Sequence, residues 1–216
     1  MDVFVTGGTG YIGRRLTEAL IARGHRVRVL TRPGSVSRVC GGAEAVVGDA
    51  LDATSYVGAL RAGETIVHLV GTPHPSPAKA AEFQRVDRPS IEAAVTAGAK
   101  ARIGHLVYVS VAHPAPIMKA YIEVRLAGER AIARAGLTAT VLRPWYVLGP
   151  GHWWPAVLLP LYGLLGVIPA TRDGARRLGL VTIEQMLKAL VAAVEHPPPP
   201  STVRILTVPE IRAASP

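Results

Sequence analysis

Short runs of β-branched and apolar residues alternate along this chain with longer stretches in which apolar positions recur every three or four residues. The first pattern reads as strands and the second as helices that bury one face. Strands are predicted at 2–6, 26–31, 43–48, 65–70, 104–110, 137–142 and 202–207. The run 65–70 is apolar almost throughout, as in a parallel strand covered on both faces. The first helix follows the first strand, with Ile12, Leu16, Ala19 and Leu20 on one side. Further helices are predicted at 53–61 with Asp52 as N-cap, at 78–97 with an interruption before Pro89, at 117–135 and at 182–195. This alternation predicts an α/β fold with a doubly wound parallel sheet. Residues 1–151 form the main domain and 152–216 a small C-terminal lobe packed on it, with the tail from Pro209 expected to be loose.

The polar and glycine positions between the first strand and first helix change the picture from architecture to chemistry. There the chain reads Thr6-Gly7-Gly8-Thr9-Gly10-Tyr11-Ile12-Gly13, with Gly7, Gly10 and Gly13 spaced three apart. The first glycine lets the strand reverse, the second lets bare backbone approach a pyrophosphate, and the third lets the helix pack closely on the sheet. A diphosphate would then sit on the free N–H groups and positive dipole end of the helix, as in a Rossmann-type nucleotide domain. About 20 residues further on, the second strand ends at Arg32. An acid there would suit the ribose 2′-hydroxyl of NAD, whereas an arginine suits the 2′-phosphate of NADP, so NADP(H) is favoured over NAD(H). Arg14 offers a second guanidinium; the alternative for both arginines is a solvated surface. Asp49, at the end of the third strand, is placed to accept from an adenine amino group.

The formal net charge is +9, which raises a nucleic-acid reading. The basic residues are nevertheless scattered, and two of the three tight clusters, Arg14-Arg15 and Arg26/Arg28/Arg32, flank the phosphate turn, so an acidic cofactor takes up part of the excess and no nucleic-acid partner is expected. Cys40 is the one cysteine, which excludes an internal disulfide and fits a reducing cytoplasm. Met1-Asp2 runs straight into a strand, with no signal-peptide pattern.

TGGTGYIG, Gly48-Asp49, the strand ending at Ser110, the pair Tyr121 and Arg125, and the run AGLTATVLRPWYVLGPG up to Gly151 together resemble the short-chain dehydrogenase/reductase superfamily. They are most similar to its atypical and extended branch, which includes proteins like the nitrogen metabolite repressor, isoflavone reductases and the dehydrogenase-fold accessory subunit of respiratory complex I. The resemblance implies a dinucleotide on Gly7, Gly10, Tyr11, Ile12 and Gly13, a 2′-phosphate on Arg32, and adenine on Asp49 and Ala50. It further implies an inner cofactor wall of Val70, Gly71 and Thr72, and a nicotinamide end lined by Pro144, Trp145 and Tyr146. Tyr121 takes the place of the family's proton-exchanging tyrosine. Arg125 stands where a lysine is usual, Ser110 lies near the serine position with Ala112 after it, and Asp87 stands where an asparagine is frequent.

His74, His113 and His152 fall after successive strands, where the ligand crevice of an open α/β sheet lies. His113, or else His74, is the candidate to replace the missing serine as donor or acid; solvent-exposed loop histidines are the other reading. No short ligand spacing points to a metal. The apolar run between Trp153 and Ile168 is short for a membrane span and broken by proline and glycine. It reads as a lid over a substrate pocket, as core packing, or as a patch for a partner or peripheral membrane surface. Two functions follow: an NADP(H)-dependent oxidoreductase acting on a small, rather apolar carbonyl or enone, or an NAD(P)H-binding sensor or assembly protein without turnover. Oligomeric state is not readable from the sequence.

Overall fold

The structure is a computed structural model that describes residues 1–151 and 177–214. Seven parallel strands make the main sheet: β1 (Asp2–Thr6), β2 (Arg26–Thr31), β3 (Glu44–Val47), β4 (Thr65–His68), β5 (His105–Val109), β6 (Ala139–Leu142) and β9 (Val203–Leu206). Their spatial order is β3-β2-β1-β4-β5-β6-β9. A separate parallel pair joins β7 (Tyr146–Leu148) to β8 (Leu180–Thr182). The predicted doubly wound Rossmann-type sheet is therefore the fold.

Each face of the sheet is sealed by helices whose apolar stripe supplied the sequence pattern. On one face, α1 (Tyr11–Ala22) and α4 (Ile183–Glu195) bury Leu16, Leu20, Met186 and Leu190 against Val3, Val5 and Val29. On the other, α2 (Arg88–Ala101) and α3 (Lys119–Arg134) bury Ile91, Ala94 and Ile132 against Phe4, Ile66 and Leu106. The described part of the C-terminal lobe is stitched into this body, through β9 on β6 and α4 on α1. The chain leaves β1 in one direction to β2 and β3 and returns in the other to β4, so the strand order reverses between β1 and β4. Ligand crevices form at the carboxyl ends of strands at such a reversal.

Three elements differ from expectation. Residues 53–61 form two 3₁₀ turns, Ala53–Ser55 and Val57–Ala59, where a helix was predicted; Asp52 does cap the first, accepting from the Thr54 amide at 2.9 Å. The predicted helix at 78–97 is a helical series that widens to a π-turn, Phe83–Asp87, and then continues as α2 to Ala101. Pro89 has no N–H for the carbonyl four residues back, and the ladder shifts register just before it. The tail is not loose: α5 (Val208–Ala213) is fixed by a capping box between Thr207 and Glu210 and buries Val208 and Ile211. No helix among the described residues is long and apolar enough to cross a membrane. Trp153, Ile168 and His152 lie outside the described residues.

Candidate functional site

The site begins at the turn after β1. Gly7 sits at φ +75°, and its carbonyl accepts from the Gly10 amide at 3.0 Å, closing the turn. A side chain at Gly7 would press on the backbone of Leu69, 2.8 Å from its carbonyl carbon. A Cβ on Gly13 would collide with the Gly7 carbonyl oxygen and lie 2.7 Å from the Gly8 Cα, so only glycine lets α1 start this close to the strand. Gly10 is the N-cap of α1 and brings no side chain to its first turn. The amides of that turn have no helical partners, and they face a cavity lined by Gly7, Gly10, Tyr11, Ile12 and Gly13. A bare, uncapped, electropositive helix start is what a diphosphate requires, so the residues present fit a nicotinamide dinucleotide.

Beside it lies a polar pocket of about 420 Å³ walled by Arg14, Arg15 and Arg38 with Thr9 and Glu18. Arg15 is committed to the helix, donating to the Tyr11 carbonyl at 2.9 Å and lying 4.3 Å over the Tyr11 ring. Arg14 makes a long contact to Glu18, 4.0 Å, with both side chains largely exposed. Arg32 does not line this pocket. It precedes a 3₁₀ turn, Pro33–Arg38, and that turn carries Arg38 back to the wall instead. Asp49 and Ala50 close β3: Asp49 is exposed, with Oδ1 accepting from the Leu51 amide at 2.9 Å, and Ala50 is half-buried. Neither lines the pockets at the glycine turn.

From the glycine turn an apolar cavity of about 610 Å³ runs across the ends of β4, β5 and β6. Pro144, Trp145 and Tyr146 form one wall, and Leu69 and Gly71 the floor. Tyr121 stands against the ring of Phe83, 4.9 Å between centroids, and also faces the cavity. Of the predicted inner wall, only Gly71 lines it; Val70 does not. Thr72 is turned away, its amide and hydroxyl both donating to Asp87 Oδ2 at 3.0 and 2.6 Å.

Asp87 also explains why Arg125 is not at the cavity surface. The guanidinium donates to Asp87 Oδ1 at 2.7 Å and to the Val109 carbonyl at 3.1 Å, with 6% of its side chain exposed and none of Asp87's. It lies under Gly71, where any side chain would strike its Nη2, and 5.0 Å beneath the Tyr121 ring. Burial pulls its pKa down, but Tyr121, Tyr108 and Asp87 raise it by more, so it stays charged. The lysine position is thus filled by a cation spent on an internal ion pair.

Ser110 is equally committed. It does line the cavity, but its hydroxyl donates to Glu129 Oε1 at 2.6 Å. Glu129 is in turn gripped by Arg143, whose Nε donates to Oε1 at 3.0 Å and whose Nη2 donates to Oε2. His113 does not reach the cavity. It lies toward Arg143 and Glu129, its Nε2 is buried with no hydrogen-bond partner among the described residues, and burial, then Arg143, lowers its pKa. His74 is the histidine on the cavity wall, held at φ +47° between Pro73 and Pro75.

Arg38, Glu129 and Arg143 were not singled out in the sequence; Asp87 was, but only as the residue at a frequent asparagine position, without its link to Arg125. For Glu129 a signal existed: Tyr121, Arg125 and Glu129 stand four apart and share one face of α3. For Arg38 there was none without the length of the 3₁₀ turn.

The NAD(P)H-binding family model matches residues 7–149, and the chain belongs to that family. The chain is 29% identical over 198 residues to ceramide reductase of Caulobacter vibrioides, covering 90% of this chain and 61% of the relative. It is 30% identical over 222 residues to 3-diazoavenalumate denitrifying reductase of a Streptomyces species, covering 90% and 72%. A third relative, 4-hydroxy-2-methyl-3-oxo-4-farnesyl-3,4-dihydroquinoline-1-oxide ketoreductase of Stigmatella aurantiaca, is 29% identical over 171 residues, covering 69% and 51%. The chain thus spans about half to three quarters of the length of these reductases. The fold is that of the extended short-chain dehydrogenase/reductases: UDP-N-acetylglucosamine 4-epimerase of Bacillus cereus superposes with a TM-score of 0.70 at 19% identity, covering 99% of this chain and 83% of that one. MoeE5 in complex with UDP-glucose and NAD gives 0.69 at 21%, covering 98% and 79%.

Proposed function

We propose that this protein is an NADP(H)-dependent reductase of a rather apolar carbonyl compound or enone, with Tyr121 as the proton donor. The observation that carries the reading is the continuity of the site, from an uncapped glycine turn with an arginine pocket beside it to an apolar cavity that Tyr121 lines. Arg14 and Arg38 would hold the 2′-phosphate from opposite walls, and the amides of the glycine turn the diphosphate. A nicotinamide nucleotide bound there supplies a hydride to the carbonyl carbon. The Tyr121 hydroxyl gives its proton to the carbonyl oxygen, and the phenolate is reprotonated from solvent. Trp145, Tyr146 and Val147 present a largely apolar wall that suits an apolar substrate. The names of two relatives, reductases of a ceramide and of a farnesylated quinoline oxide, support an apolar substrate.

NADPH oxidation measured against a panel of aryl, alkyl and cyclic ketones and enones tests this reading. Turnover of at least one compound, with the rate falling about 100-fold or more in Tyr121→Phe, is expected. A second reading has its own support: Arg125 and Ser110, at the usual lysine and serine positions, are both tied to carboxylates. Tight NADPH binding with no turnover across the panel would favour a sensor or assembly protein.

A further inference from the structure

A hydroxyl carries one hydrogen, and what it does with that hydrogen fixes what it can offer a ligand. Ser110 is 3% exposed, its amide is held by the Leu142 carbonyl at 2.7 Å, and it forms part of the cavity wall. Its hydrogen is directed to Glu129 Oε1. Glu129 cannot reciprocate, because each of its carboxylate oxygens already accepts from Arg143, through Nε on one and Nη2 on the other. A carboxylate clamped in this way is an acceptor only. The polarity of Ser110 is therefore set from outside the cavity. Toward anything bound inside, it has lone pairs and no hydrogen.

We infer that Ser110 is a specificity residue that accepts a hydrogen bond from the substrate, and that the substrate class is a carbonyl compound bearing a hydroxyl or N–H beside the reacting carbon. The inference rests on the proposed reductase reading. A serine free to donate would select the carbonyl oxygen itself; this one meets that oxygen with a lone pair and repels it. The carbonyl is left to Tyr121, and the neighbouring donor of a hydroxy ketone or keto amide satisfies Ser110. An unadorned ketone leaves Ser110 facing an apolar group or a second acceptor. Glu129 and Arg143 do not touch the substrate; they act through Ser110 as positioning residues.

The test uses three aryl ketones of one framework: 2-hydroxyacetophenone, 2-methoxyacetophenone and acetophenone. Affinity for the protein saturated with NADP⁺ is read from tryptophan fluorescence, and NADPH oxidation is followed in parallel. 2-Hydroxyacetophenone is expected to bind about tenfold more tightly than either comparator, the worth of one hydrogen bond. Ser110→Ala should erase the preference while leaving affinity for acetophenone unchanged or improved. Glu129→Gln should reverse it. The amide oxygen keeps Arg143 Nη2; the amide nitrogen takes the Oε1 position once Arg143 Nε has swung off it, donates to Ser110, and the serine hydrogen is released into the cavity. NADPH affinity and melting temperature, measured on each variant, report whether it has folded, and Ser110→Ala decides the question if Glu129→Gln does not fold. Equal affinity for the three compounds, binding of none, or a preference that survives in Ser110→Ala would overturn the inference. Failure of the unaltered protein to bind NADPH would instead strike the reductase reading beneath it.

Discussion

The two ends of the site are built on opposite principles. The nucleotide end is made of backbone: a turn at Gly7, an uncapped helix start at Gly10, and a contact at Gly13 that no side chain could share. The chemical end is made of side chains that hold one another, Asp87 with Arg125 and Thr72, and Glu129 with Arg143 and Ser110. The first offers a general grip on phosphate. The second has its charges already neutralised and, among the described residues, presents mainly apolar surface with Tyr121, Tyr146 and His74 to whatever enters. Affinity for the cofactor and choice of substrate are thus assigned to parts of the chain that can vary independently.

The largest effect that would expose this difference is at the chemical end. Asp87→Ala strands the Arg125 guanidinium without its partner in a buried position, a loss of about 3–5 kcal/mol, measurable by urea unfolding. A variant within about 1 kcal/mol of the parent would show that the pair contributes little. At the nucleotide end, Gly13→Ala forces its Cβ into the Gly7 carbonyl and should cost about 1–3 kcal/mol in stability and remove detectable NADPH binding in calorimetry. Retained NADPH binding would break the claim that backbone fit, rather than side chains, governs this end.

A smaller change sharpens the cofactor reading. Arg38→Ala should weaken NADPH binding about tenfold and leave NADH unchanged, while Arg32→Ala should move neither. Equal losses for both nucleotides would take Arg38 away from the 2′-phosphate.

Acid should separate the two ends most gently. His68, bonded to Thr6 Oγ1 at 2.9 Å and near Ser90 Oγ at 3.3 Å under the chemical end, is pulled down to about 3 by burial and then by Arg125. Its ordinary value is 6.5, so the unfolded chain takes up the proton first and stability begins to fall as pH drops below that value. Glu195, which staples α4 to Arg23 after α1, is held down to about 2 chiefly by its hydrogen bond from Arg23. Its ordinary value is 4.5, so that staple is fully present above 4.5 and weakens only as pH falls toward 2. Amide exchange at pH 5.5 should therefore show β4 and α2 losing protection before α1 and α4. Simultaneous loss would point to one cooperative body.

The same contrast decides what could be read from the sequence. Strand positions, the parallel sheet and the glycine turn were legible because each depends on local period or on the absence of a side chain. The π-turn that positions Asp87 was visible only as an interruption at Pro89, and the 3₁₀ turns at 53–61 were mistaken for a helix because short turns share helical spacing. Arg125 was found by its distance from Tyr121, yet its commitment to Asp87, 38 residues earlier in the chain, has no sequence signature. His113 was preferred to His74 in the sequence, yet the path of each loop puts His74 on the cavity wall and leaves His113 off it. Arg32 was named in the sequence and Arg38 was not, since side-chain direction after a turn depends on the turn's own length.

The proposed function stands on the turn after β1 and the arginines beside it binding NADPH. Isothermal titration of the protein with NADPH and with NADH tests it most directly: NADPH is expected to bind at least about tenfold more tightly. Equal affinities would remove Arg14 and Arg38 from recognition, and no heat from either nucleotide would contradict the account at its root.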